Sequence, residues 1–191
     1  PWKVVPLAQA INQDQEELVT RLLEYPSKPD KIDPDALIAA ATKGNEALAI
    51  TIIKAGGQVF RSREDIDAPG IALHRSGMDK ALATAVEMMP DTLLEDRKIK
   101  EQLDDLMLAS AYSGHKATIQ SIVKRGIPAR WKSDDNDRKR LAGSLCKILM
   151  EEFPEIKAWD STMTPLLLAV VARDQETVSL LLEAGADPNQ M

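Results

Sequence analysis

The sequence predicts an all-α fold: a solenoid of about five stacked helix-turn-helix repeats, with one extra or degenerate helix before the last. Three observations predict it. Glycines recur at a fixed spacing, with Gly44 and Gly56 twelve apart, Gly114 and Gly126 likewise, and Gly185 twelve after Arg173. Apolar side chains recur at fixed offsets from those landmarks. Aromatics make up only 4% of the chain, so the core must be built from Leu, Ile, Val and Ala. That composition suits short, closely packed helices.

The frame extends to two units without both glycines, Asp14 to Pro26 and Gly77 to Met89. In each unit the fifth, eighth and ninth residues after the start are apolar. They are Val19, Leu22 and Leu23; Ala49, Ile52 and Ile53; Leu82, Ala85 and Val86; Ile119, Ile122 and Val123; Val178, Leu181 and Leu182. This i, i+3, i+4 spacing lines one face of a helix. A shorter helix precedes each landmark, carrying Leu7, Ala10 and Ile11; Leu37, Ala40 and Ala41; Leu73; Met107, Ser110 and Ala111; Leu166, Ala169 and Val170. Small side chains at Ala10, Ala40, Ser110 and Ala169 admit close helix approach, with Leu73 the exception. No such pair buries its apolar faces alone, and stacking in a row supplies the missing partner.

Turn chemistry agrees. Gly56, Gly126 and Gly185 fall just past the second helix, where a left-handed residue ends it at little steric cost. Pro6, Pro69 and Pro165 open first helices, where the missing N–H costs nothing.

Thr164-Pro165-Leu166, Leu168-Ala169, Val178, Leu180-Leu181-Leu182 and Gly185-Ala186-Asp187-Pro188-Asn189 together resemble an ankyrin repeat. Asp105 through His115 resembles the same motif with its Thr-Pro replaced. Asp35 to Asn45, Val5 to Gln15 and, more weakly, Ala68 to Met78 are similar again. The resemblance implies one ankyrin domain over residues 1–191, with repeats near 1–30, 31–62, 63–96, 101–130 and 160–191. The last interval is too long for one unit. Leu141, Leu145, Ile148 and Leu149 mark a degenerate or inserted helix near 135–153. The histidine usual after Thr-Pro-Leu is replaced by Ala8, Ile38, Ile71, Leu108 and Leu167. Side-chain bonds between neighbouring turns are therefore expected to be missing, leaving packing to hold the stack.

Composition excludes several function classes. The net charge of -6 disfavours wholesale binding to nucleic acid or anionic membranes. Basic residues do gather around Arg97, Lys98, Lys100, Lys124, Arg125 and Arg138 to Arg140, but Trp131 alone interleaves them. No apolar run reaches the ~18 residues of a membrane span, so no membrane insertion is expected. One cysteine, Cys146, excludes an internal disulfide and a cysteine-based zinc site. His74 and His115, the two histidines, lack a second ligand at helical spacing and read as structural. No phosphate loop, nucleophile elbow or Cys-His pair is present. The expectation is a protein that is not an enzyme, needs no cofactor and binds no metal. An intracellular location is the default. Because the chain opens on Pro1 and stops where a further repeat would begin, it reads as a fragment of a longer array.

The resemblance implies a protein–protein interaction module, a rigid scaffold or adaptor that binds another protein or peptide through its concave surface. The alternative is a regulatory or substrate-docking domain of a larger enzyme or channel. In the family that surface is made by turn tips and the exposed side of each first helix. Carried over, the partner-binding candidates are Lys43, Glu64, Asp65, Asp67, Arg75, Glu101, Asp104, Tyr112 and Ser113. Glu64, Asp65, Asp67, Glu101 and Asp104 would form an acidic strip in the middle turns, suited to a basic or mixed-charge partner. Tyr112 would anchor it.

Overall fold

The computed structural model describes residues 6–24, 32, 34–60, 68–129 and 164–189. They hold ten α-helices, one 3₁₀ helix and no strand. The helix near 135–153 and the acidic turn with Glu64, Asp65 and Asp67 lie outside the described residues. The chain divides into two compact units, Pro1–Met89 and Pro90–Met191.

The first unit contains three helix pairs: α1 (Pro6–Asn12) with α2 (Glu16–Glu24), α3 (Pro34–Thr42) with α4 (Glu46–Lys54), and α5 (Ala68–Arg75) with α6 (Asp79–Glu87). Helix α3 packs on both α1 and α5, and α4 packs on α6, so equivalent helices form rows. Close approach follows from small side chains, since Ala10, Ala36, Ala40 and Ala49 are almost wholly buried. Leu37, Ile52 and Leu82 fill the spaces between helices. Burying each contributes about 1.5–3 kcal/mol. Leu73, the exception among the small residues, is also fully buried. One turn earlier α5 carries Gly70, where a Cβ would stand 3.6 Å from Val59 Cγ1.

The second unit opens with the 3₁₀ helix Asp91–Glu95, then α7 (Arg97–Ser113) and α8 (Lys116–Lys124), and closes with α9 (Pro165–Val171) and α10 (Gln175–Glu183). Helix α7 packs directly on α9. The fourth and last pairs are thus neighbours in space despite their distance in sequence. Ile99, Leu103, Leu106, Leu108, Ile119, Ile122, Leu168 and Leu181 are fully buried here.

Each pair turns through a left-handed corner that the twelve-residue frame locates. Asp14, Gly44, Gly77, Gly114 and Arg173 have φ of 56°, 68°, 68°, 71° and 58°. Three corners use glycine, for which this conformation carries no Cβ penalty. The other two hold an L side chain there at a cost of roughly 1–2 kcal/mol.

One element departs from the sequence expectation. The turn assigned near Glu101 to Asp104 is helical, because α7 begins at Arg97. Asp96 caps it, its carboxylate accepting from the Lys98 N–H at 2.8 Å. Ile99, Leu103 and Leu106, at i, i+4 and i+7, drive the added turns into the core.

Candidate functional site

The partner-binding candidates among the described residues sit at the ends of first helices or along α7. In the first unit Lys43 lies in the corner after α3. Its ammonium donates to both carboxylate oxygens of Asp14, at 2.8 and 2.7 Å, and so ties two consecutive corners together. Arg75 is the exposed last residue of α5.

In the second unit Glu101, Asp104, Tyr112 and Ser113 all lie on α7. At 100° per residue Glu101, Asp104 and Tyr112 fall within about 80° of one another around the helix, and Ser113 points away from them. Glu101 and Tyr112 are about 16 Å apart along the axis. The Glu101 carboxylate accepts from Arg97 Nε at 2.9 Å. Asp104 and Tyr112 are half-buried, and Ser113 is exposed beside the left-handed Gly114. The two carboxylates one turn apart and the ring two turns further make a linear strip, acidic at one end and aromatic at the other.

The expectation that packing alone holds the stack is overturned, although the bonds that overturn it do not run from one Thr-Pro-type turn to the next. The Thr164 hydroxyl caps its own helix, accepting from the Leu167 N–H at 3.1 Å. The links between repeats have moved to the corners at the other end of the first helix. Besides Asp14–Lys43, Ser76 Oγ donates to the Ala41 carbonyl at 2.9 Å. Glu46 Oε1 accepts from the N–H groups of Lys80 and Ala81, at 2.8 and 3.3 Å, capping the next repeat's helix α6 from outside. In the second unit Lys116 pairs with Glu176 and lies 3.9 Å from Asp174 Oδ1. Asp174 also accepts from Glu176 N–H, Thr177 N–H and Thr177 Oγ1 at 3.1, 3.1 and 2.6 Å. The Thr177 bonds above all, aided by Lys116, hold its carboxyl below the usual carboxylate range against the opposing effect of burial. Sequence reasoning missed these links and named Lys43 only as a partner-binding candidate. The signal lay in polar pairs at corner positions one repeat apart.

Among the described residues no cluster of three or more His, Cys, Asp or Glu could hold a metal ion. None of their helices is long and apolar enough to cross a membrane. His74 and His115 are both buried.

Rows of equivalent helix pairs, turned by left-handed corners and linked at those corners, define an α-helical repeat protein. Residues 162–191 match the family model of the ankyrin repeat. That segment is similar to an ankyrin repeat, a unit that generally serves protein–protein interaction and is typically non-catalytic. No curated protein and no solved structure matches it.

Proposed function

We propose that this protein is a rigid intracellular scaffold or adaptor, without catalysis, whose concave surface grips a basic or mixed-charge segment of another protein. The single observation that carries this reading is the α7 strip of Glu101, Asp104 and Tyr112. Paired carboxylates steer and orient cationic side chains. A half-buried tyrosine offers a large, stiff contact with a polar tip. The fully buried side chains of the second unit, Leu103, Leu106, Ile119 and Leu168 among them, support the rigidity, because a surface that loses little freedom on binding wastes little affinity. Cys146, alone in the sequence, suits a reducing compartment.

The test is affinity capture with the wild-type chain and with a Glu101→Lys/Asp104→Lys/Tyr112→Ala variant. Titration of the identified partner at low and high salt follows. The variant should bind at least tenfold more weakly, about 1.4 kcal/mol, with helicity and melting temperature preserved. Wild-type affinity should fall as salt screens the charges. Equal affinity of a folded variant would remove this strip from the binding surface.

A further inference from the structure

We draw no further inference here: the strongest candidate, the face of the last helix pair that bares Val170 and Leu182, repeats the stacking already described for the other pairs, and nothing in the structure shows what covers it.

Discussion

Replacing Gly114 by alanine should destabilise the protein about twice as much as the same change at Gly44 or Gly77, although the three backbones are nearly identical. Their φ values are 71°, 68° and 68°, so each alanine meets the same left-handed cost of roughly 1–2 kcal/mol. Each recovers about 0.4–1 kcal/mol because alanine restricts the unfolded chain. The net loss at Gly44 and Gly77, where a Cβ meets nothing within 4 Å, is then about 1 kcal/mol. At Gly114 the new Cβ would stand 2.9 Å from Asp174 Oδ2, closer than such atoms pack. That oxygen accepts the 2.6 Å bond from Thr177 Oγ1, and its partner oxygen caps α10. Moving the carboxylate aside therefore gives up a cap as well, about 1 kcal/mol more.

Urea unfolding followed by circular dichroism measures the series. Gly114→Ala should cost about 2 kcal/mol, and the second half of that should vanish when alanine is introduced into an Asp174→Ala background. The converse substitution completes the argument. Arg173→Gly should stabilise by about 0.5–1 kcal/mol, since it relieves the strained corner at some cost in unfolded-chain entropy. Asp14→Gly should gain less, because it also removes the exposed ion pair with Lys43. Equal losses at all three glycines, or destabilisation by Arg173→Gly, would refute the reasoning.

Other substitutions separate packing from polar links. Leu106→Ala, at a fully buried site, should cost about 2–5 kcal/mol by leaving a cavity, read from the urea midpoint at unchanged slope. Ser110 Oγ is buried and has no hydrogen-bond partner among the described residues. Since the equivalent positions are Ala10, Ala40 and Ala169, Ser110→Ala should raise stability by up to about 1 kcal/mol, measured as a higher melting temperature. Glu46→Ala should cost about 0.5–1 kcal/mol by uncapping α6. Faster amide exchange at Lys80 and Ala81, without change in α1, would locate the effect. Asp174 contributes stability that is complete above its unfolded pKa of ~3.9 and is lost as pH falls through its lower folded value. Between pH 6 and 2 the wild type should therefore lose more stability than Asp174→Asn, by comparison of acid titrations.

The repeat was legible because two independent constraints fall in register. A corner needs a left-handed residue, and a stacked helix needs apolar side chains at fixed offsets from it. Arg173 shows the strength of the second constraint. Nothing in its chemistry announces a left-handed corner, yet Val178 and Leu181 count back to it. The binding candidates are read differently, since exposed positions leave no periodic trace and depend on the family resemblance. That dependence misplaced Glu101 and Asp104 in a turn. The family frame ended the helix near Asp105, whereas the Asp96 cap and the apolar row Ile99, Leu103 and Leu106 extend it to Arg97.

Losing a histidine at five equivalent positions did not leave packing alone to set how neighbouring repeats align, and the reason is geometric. An alanine-lined helix interface is smooth, so small slides between helices change buried area little. Directional bonds resist such slides far more sharply. The corners are suited to supply them, because a left-handed residue turns the chain out of the helix and brings adjacent polar side chains to the neighbouring repeat. Asp14 with Lys43, Glu46 with the α6 N-terminus, Ser76 with the Ala41 carbonyl, and Lys116 with Glu176 each join consecutive pairs at or beside a corner. They differ in chemistry and agree in place. Any polar group that reaches across the gap fixes the alignment, so no single residue type has to recur. The same freedom makes these links hard to recognise in sequence, while the apolar frame they align stays plain.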